Sequence, residues 1–425
     1  MTKSKNSNRP MLPKGMATFL PEAAVHKRHI EETVLSVFLS WGYQEVIPPI
    51  FEYLDVIALG MGEDLIEKGY KFVDRGNGRL MLLRPDITPQ IARMAAMLMA
   101  DVPKPLRLCY RANVFRHEEE HAGRARELFQ IGGELIGLAG PEADAEVIAI
   151  AIETLRSIGL TDFKIALGQV EFFRGLMNGI GLAPDLQKQV HGAVVRKDRS
   201  KLIHVLKQGN VPENKVRQIT AILSLFGQEE VIDQAWGLTA FPACRSALAR
   251  LREVFRILVS AGWKEHLLID LAEIRGFDYY TGIIFEVFAK DLGVPLGRGG
   301  RYDSLIGKFG SPCPSTGFAF DVEQLQWAWQ KTLCAAPNVA VDVLVLETQR
   351  DMIRLFKLAG RIRAKGYRVI QHLEKMDVKE AFARAKTAGI KHLFVLLNGE
   401  RALLIDCRTG KEQSGRIPAL LSKLE

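Results

Sequence analysis

The chain is predicted to be an α+β protein, with a mainly antiparallel sheet flanked by helices, a helical insertion within that sheet domain, and a small C-terminal α/β domain. Three observations predict this fold. Strand-like runs bounded by turn residues recur before residue 170 and after residue 262, while the pattern between them is helical throughout. Beyond the segment "CAAPN", strand and helix patterns alternate. The length of 425 residues and the hydrophobic content of 48% suit two or three packed domains.

The first predicted elements place two polar residues at one corner. Residues 24–41 have apolar residues at helical spacing, and "QEVIPPIFEY" is typical of an edge strand, because its prolines cannot donate ladder hydrogen bonds. "RLMLLRPD" predicts a strand, and "DITPQIARMAAMLMA" a helix with Thr88 as N-cap and Pro89 at the first helical position. Asp86 and Thr88 therefore share a strand-to-helix corner.

The remaining elements follow in order. "LRLCYRANVFRHE" and "RELFQIGGELIG" predict two strands of a hairpin joined by a long charged loop, followed by a helix over 143–157 and the strand "FKIALG". After the insertion, "HLLID", "EIRGFDYYTGIIFE" and "STGFAFD" predict further strands. The predicted domains are a basic tail at 1–15, a core at 16–169 and 263–334, the helical insertion at 170–262, and the C-terminal domain at 338–425.

Composition excludes several functional classes. No apolar run approaches the roughly 20 residues that cross a bilayer, and the polar start lacks a signal segment, so we expect a cytoplasmic protein with no membrane partner. Five scattered cysteines without a Cys-x-x-Cys pair predict neither disulfides nor a zinc knuckle. The net charge of +8 is concentrated at the ends, with 17 Lys and Arg against 10 Asp and Glu over 338–425. A solvated basic surface and a nucleic-acid site both fit that charge.

Two motifs are set aside. "HEEEH", His117 to His121, matches a zinc-protease signature, which needs both histidines on one face of a helix. The strand-like runs on both sides predict a loop instead, so a zinc hydrolase is only a distant alternative and no metal is expected. "GRGGRYD" neither follows a clear strand nor opens a long helix, which disfavours a dinucleotide loop. Its glycines would allow close backbone approach around a pocket.

Three distant segments carry the polar residues of a candidate ligand site: "RPDIT", "FRHEEEHAGRARELFQIGGEL" and "EIRGFDYYTGIIFE". Their chemistry suits an amino acid, because carboxylates can hold an ammonium or imidazole N–H and arginines can hold a carboxylate. Taken singly, each arginine is more commonly a surface ion pair and each tyrosine part of a core. The candidates are the carboxylates Asp86 and Glu134, the arginines Arg116 and Arg275, and the orienting residues Gln130, Tyr279 and Tyr280.

The joint pattern resembles histidyl-tRNA synthetases and their paralogues. "KGMATFLPEAA", "WGYQEVIPPIFEY", "LLRPDITPQIAR", "YRANVFRHE", "GRARELFQIGGEL", "IRGFDYYTGIIFE", "GGRYDSL" and "GFAFDVEQL" follow that family's order over nearly the whole chain. The resemblance implies a class II aminoacyl-tRNA synthetase-like antiparallel sheet, a helical insertion and a C-terminal domain like the anticodon-binding one. The family's histidine-pocket positions fall on Asp86, Thr88, Arg116, Gln130, Glu134, Arg275, Tyr279 and Tyr280.

The residues that would handle ATP depart from the synthetase pattern. Gln324 stands where the third motif has an arginine that contacts the triphosphate, and Glu119, Glu120 and His121 replace an Arg-Pro-Gln run. The carboxylates of Glu119 and Glu120 would face the negatively charged triphosphate. A close pair of like charges costs about 1 kcal/mol even in a water-like dielectric, so nucleotide binding should be poor. Asp86 also replaces the glutamate that is usual in synthetases, within "PDITPQ", a form typical of the regulatory paralogues.

The resemblance is therefore strongest to the regulatory subunits of ATP phosphoribosyltransferase in histidine biosynthesis. It implies a subunit that is not an enzyme and has no cofactor, that binds histidine as an allosteric ligand, and that controls a short-form catalytic subunit. It also implies dimers within a hetero-oligomer, and tRNA is not expected as a partner. An active histidyl-tRNA synthetase remains the alternative, because the basic C-terminal domain would suit tRNA.

Overall fold

The computed structural model describes residues 12–117, 125–274, 280–332, 341–349, 351–374 and 376–424. The chain divides into two compact units, Met1–Ala335 and Ala336–Glu425. The segment "CAAPN" at 334–338, whose composition suggests a linker, lies outside the described residues. None of the helices within the described ranges is long and apolar enough to cross a membrane.

A nine-stranded sheet is the centre of the first unit, in the order β1-β5-β6-β12-β11-β10-β7-β9-β8. Its neighbours pair antiparallel except for β1 with β5 and β7 with β9. A separate three-stranded sheet has the order β2-β4-β3. The strands are β1 Gln44–Glu45, β2 Phe51–Tyr53, β3 Lys71–Val73, β4 Leu80–Leu83, β5 Leu106–Phe115, β6 Glu127–Ile136, β7 Phe163–Gln169, β8 Phe226–Gly227, β9 Leu267–Asp270, β10 Ile283–Ala289, β11 Gly297–Arg301 and β12 Ser315–Asp321.

Helices cover this sheet and form the insertion. Helix α5 is buried along most of its length, because alternating alanines and isoleucines make it apolar on nearly every face. The insertion is helical as predicted, apart from the two-residue strand β8. The helices are α1 Pro21–Ser40, α2 Leu54–Ile57, α3 Glu63–Glu67, α4 Thr88–Met97, α5 Pro141–Ser157, α6 Val170–Ile180, α7 Pro184–Val195, α8 Arg199–Gln208, α9 Glu213–Ala221, α10 Glu230–Leu238, α11 Pro242–Ser260 and α12 Val322–Gln330.

One local prediction was wrong, and one strand was not predicted. The N-cap of α4 is Ile87 rather than Thr88, and no side chain caps it. The Thr88 hydroxyl instead donates to Glu134 Oε1 at 2.8 Å, so a tertiary contact takes the group that the sequence assigns to the cap. "GRGGR" is also a strand, β11, in the middle of the large sheet. Glycine is required there because a Cβ on Gly299 would lie 2.4 Å from the Cβ of Phe318 on the neighbouring strand.

The second unit is a five-stranded mixed sheet with helices, in the order β14-β13-β15-β16-β17. Its first two helices are N-capped by Asp351 and Asp377, whose side chains accept hydrogen bonds from the backbone N–H groups of Arg354 and Glu380. The sequence did not predict β17 or α15. The elements are β13 Val343–Glu347, α13 Met352–Arg363, β14 Val369–Gln371, α14 Val378–Thr387, β15 His392–Leu396, β16 Arg401–Asp406, β17 Glu412–Arg416 and α15 Ile417–Leu421.

Candidate functional site

A cavity of about 200 Å³ opens over the middle of the large sheet. It brings together most of the residues that the sequence nominates, although they come from four separate parts of the chain. Arg275 and Tyr279 lie outside the described residues. The nominated residues that line the cavity are Asp86, Thr88, Arg116, Gln130, Glu134 and Tyr280.

Strand ends and strand periodicity position these side chains. Asp86 and Thr88 lie at the junction of β4 and α4, and Arg116 directly follows β5. Gln130 and Glu134 are four residues apart on β6, so they share one face of the sheet. The cavity therefore occupies one face of the central strands, where β6 pairs with β5 and β12.

Glu134 is the most buried acid of the cavity, with 1% of its surface exposed. Its Oε1 accepts from the hydroxyls of Thr88 at 2.8 Å and Tyr110 at 3.2 Å, and its Oε2 accepts from the hydroxyl of Tyr302. Burial raises the pKa of Glu134 to about 8 despite these three donors. Near neutral pH much of the Glu134 carboxyl group is therefore protonated.

Asp86 is the second acid at this end of the cavity. Burial raises its pKa, and the opposite charge of Arg116 only partly offsets the effect. The Asp86 charge in turn raises the pKa of Glu134. Two acids that disfavour each other's ionisation would both be stabilised by a cation or a strong N–H donor between them.

The other end of the cavity has mixed charge. Gln130 Nε2 donates to Asp321 Oδ1 at 3.3 Å, and burial raises the pKa of Asp321. Arg298 is bound to Glu286 through its Nε at 2.5 Å. Gln130 Oε1 is buried and has no hydrogen-bond partner within the part of the chain that the structure describes, so it can accept from a ligand.

Sequence reasoning missed several residues of the cavity, although it quoted the segments that contain them. Tyr302 lies in "GGRYDSL", and Gly317 and Asp321 lie in "GFAFDVEQL". These segments supported the resemblance, but single residues in them were not nominated. Tyr110, which donates to Glu134, is likewise the first residue of "YRANVFRHE" and was not nominated singly.

The structure describes only part of the zinc-like motif, whereas it describes Gln324 of the altered ATP motif. The backbone N–H of His117 donates to the carbonyl of Lys68 at 2.7 Å, while the rest of "HEEEH", including Glu119, Glu120 and His121, lies outside the described residues. Within the described ranges, no group of three His, Cys, Asp or Glu residues could hold a metal ion. Gln324 lies on α12, and its Oε1 is buried with no partner among the described residues.

Comparison with known protein families identifies a close group of relatives. The family model described as histidyl-tRNA synthetase matches residues 15–325. A protein of Syntrophotalea carbinolica named ATP phosphoribosyltransferase regulatory subunit is 38% identical over 97% of this chain and 96% of its own length. A protein of the same name from Moorella thermoacetica is 40% identical over 90% of this chain and 98% of its own length.

Solved structures agree with these relatives. A crystal structure from Bacillus halodurans, described as an ATP phosphoribosyltransferase regulatory subunit/histidyl-tRNA synthetase, superposes with a TM-score of 0.81 at 29% identity, covering 92% of this chain and all of that one. A histidyl-tRNA synthetase from Nostoc has a TM-score of 0.80 at 22% identity, covering 97% and 98% of the two chains. The second likeness shows that the fold is that of a histidyl-tRNA synthetase.

Proposed function

The chain belongs to the family of ATP phosphoribosyltransferase regulatory subunits, which has the histidyl-tRNA synthetase fold, and we propose that it senses histidine through the cavity around Glu134. Its partner is the catalytic subunit of ATP phosphoribosyltransferase, as the family implies. Histidine occupancy of the cavity then sets the activity of that partner.

The observation that supports this proposal best is the pairing of the buried Glu134 and the half-buried Asp86 with an arginine in one small cavity. The cationic ammonium or the imidazole N–H of histidine would lie against Asp86 and Glu134, whose pKa values are raised by burial and whose ionised forms a ligand cation would stabilise. The ligand carboxylate would pair with Arg116, which lines the same cavity, and with Arg275. Gln130 and Tyr280 would fix its orientation.

We further propose that the chain does not activate histidine with ATP. Stabilising a triphosphate requires fixed positive groups, and the third-motif position holds the neutral amide of Gln324. Its neighbour Glu323 binds Lys27 Nζ at 2.7 Å, so that nearby lysine is already neutralised. If histidine binds but is not turned over, it can act only by shifting a conformational equilibrium of the protein.

Self-association into dimers within the hetero-oligomer is part of the same proposal. Each strand of the three-stranded sheet carries an exposed large apolar side chain, Phe51 on β2, Val73 on β3 and Leu80 on β4. An apolar surface of this kind is typical of protein interfaces. Light scattering of the purified chain measures the subunit number directly.

One set of assays separates the regulator from a working synthetase. Calorimetry of the purified chain with histidine should give saturable binding, while histidine-dependent ATP–pyrophosphate exchange should stay at background. Adding the chain to the catalytic subunit should change the rate of that subunit, and histidine should reverse the change. Robust exchange together with charging of tRNA would instead favour the synthetase, which the basic C-terminal domain would suit.

A further inference from the structure

The cavity is tied to the helical insertion through a buried ion-pair network. Arg301, at the end of β11, is 2% exposed, and its Nε donates to Asp144 Oδ1 at 2.9 Å. Asp144 lies on α5 and is 1% exposed. The other oxygen of the same carboxylate accepts from Arg250 on α11, at 3.0 Å from Nε and 2.8 Å from Nη2. One buried carboxylate therefore joins a core strand to an insertion helix.

The strand end that carries Arg301 also forms part of the cavity wall. Gly300 lies directly beneath the Tyr280 ring, since a Cβ there would come within 2.9 Å of Tyr280 Cδ1. Tyr302 follows Arg301 and donates its hydroxyl to Glu134. The Arg301 carbonyl accepts from the backbone N–H of Thr281 at 2.7 Å. A shift of this strand end would therefore displace both tyrosines of the cavity.

A second contact connects the insertion with the same wall. Arg174, on α6, has its Nη2 3.4 Å from the carbonyl oxygen of Tyr280. The ring Nε2 of His191 on α7 lies 3.2 Å from the carbonyl oxygen of Ile274. Three insertion helices thus contact backbone or ion-pair groups of the core, one of them at the cavity-lining Tyr280, and none of these insertion side chains lines the cavity itself.

We propose that the insertion, residues 170–262, is the element that reports histidine occupancy, and that Arg250 is a positioning residue for the cavity, acting through Asp144 and Arg301. This inference rests on the proposed histidine binding and names its route of transmission. The network pairs the carboxylates of Asp144 and Asp303 with Arg301 and Arg250, so loss of Arg250 leaves one negative charge uncompensated and few alternative arrangements exist. Movement of α11 and movement of the Arg301 strand end are therefore coupled, and coupling of this kind works equally in both directions.

The test uses two arginines of the same helix. Arg250→Gln breaks the network, while Arg252→Gln is the matched control, because Arg252 binds only Asp233 of the insertion among the ion pairs found in the described residues. We expect Arg250→Gln to weaken histidine binding roughly tenfold by calorimetry and the control to stay within about twofold of wild type. Arg250→Lys keeps the positive charge but lacks the bidentate N–H donors of arginine, so it should give an intermediate loss of histidine affinity. It serves the same test if Arg250→Gln does not fold.

Hydrogen exchange separates positioning from simple stabilisation. Histidine should slow amide exchange in α11 of the wild-type chain and of Arg252→Gln, and this response should be lost in Arg250→Gln. If Arg250→Gln lowers the melting temperature but keeps wild-type histidine affinity and the α11 response, the network is only structural and the inference is wrong. Absence of histidine binding by the wild-type chain would instead overturn the proposed function itself.

Discussion

Gly317 of β12 lies directly beside the carboxyl group of Glu134 on β6, with which it is paired in the sheet register. A Cβ at position 317 would lie 1.7 Å from Glu134 Oε2. The absence of a side chain on one strand therefore creates the space that the neighbouring acid occupies. In that space the acid reaches the hydroxyl of Tyr302 from a third part of the chain.

The first prediction is that Gly317→Ala distorts the cavity and weakens histidine binding. The added methyl group must displace the Glu134 carboxyl group, which loses its hydrogen bond to Tyr302. We expect a stability loss of about 1–3 kcal/mol from overpacking, measured by denaturant titration, together with a large loss of histidine affinity. The control is Gly360→Ala in α13, where nothing lies within 4 Å of the new Cβ. That change should stabilise its helix by about 0.5–1 kcal/mol, and equal behaviour of the two variants would contradict the prediction.

The second prediction concerns pH and stability. Because the pKa of Glu134 is raised in the folded chain to about 8, the folded state holds this proton at pH values where the unfolded state has released it. Its contribution to stability is complete at low pH and is lost as pH rises from about 5 to about 8, by up to about 1.4 kcal/mol per pH unit. Glu134→Gln should show a shallower decline than wild type in urea titrations across this range. If the stabilities of wild type and Glu134→Gln declined equally across this pH range, the raised pKa of Glu134 would be contradicted.

The third prediction is that Glu134→Ala weakens histidine binding by about 2 kcal/mol or more, because it leaves a polar ligand group unpaired in a buried cavity. Calorimetry measures the change. Asp64→Ala is a suitable control, since the Asp64 side chain is 75% exposed and pairs only with Lys68 among the ion pairs found within the described residues. An unchanged histidine affinity of Glu134→Ala would show that Glu134 is not part of the binding site.

The fourth prediction is that histidine binding at pH 7 releases protons. The Glu134 carboxyl group, with a pKa of about 8, is largely neutral at pH 7 before histidine binds, and a bound ammonium group would stabilise its ionised form and lower this pKa. Calorimetry in buffers with different ionisation enthalpies gives the number of protons released. We expect fewer protons from Glu134→Gln than from wild type, and net uptake by the wild-type chain would show that the ligand cation lies elsewhere.

The fifth prediction is that residues 1–335 bind histidine as well as the whole chain does. The cavity-lining residues that the structure describes lie between Leu65 and Asp321, within the first compact unit. Calorimetry of the shortened chain should give an affinity within about twofold of the whole chain, since no contact of the described cavity is removed. A large loss would assign the second unit a direct part in ligand binding.

Local patterns in the sequence were sufficient for most of the fold. The hydrophobic runs and turn residues located the hairpin strands β5 and β6, the helical insertion and the alternating C-terminal unit, because local periodicity is set by which face is buried. They gave no strand at β11, because its glycines carry no hydrophobic periodicity. Glycine is required there by the close approach of Phe318, a neighbour that becomes visible only in the folded sheet.

The sequence by itself determined which chemical groups were available: acids, arginines and tyrosines in segments that resemble one family, and a neutral Gln324 in place of a cation. Only the tertiary structure decided how those groups act. The Thr88 hydroxyl donates to Glu134 instead of capping α4, and the hydroxyls of Tyr110 and Tyr302 donate to the same carboxyl group. Burial of that group favours its neutral form. Burial, pairing and ionisation depend on distances between residues far apart in the chain, and a linear pattern does not encode those distances.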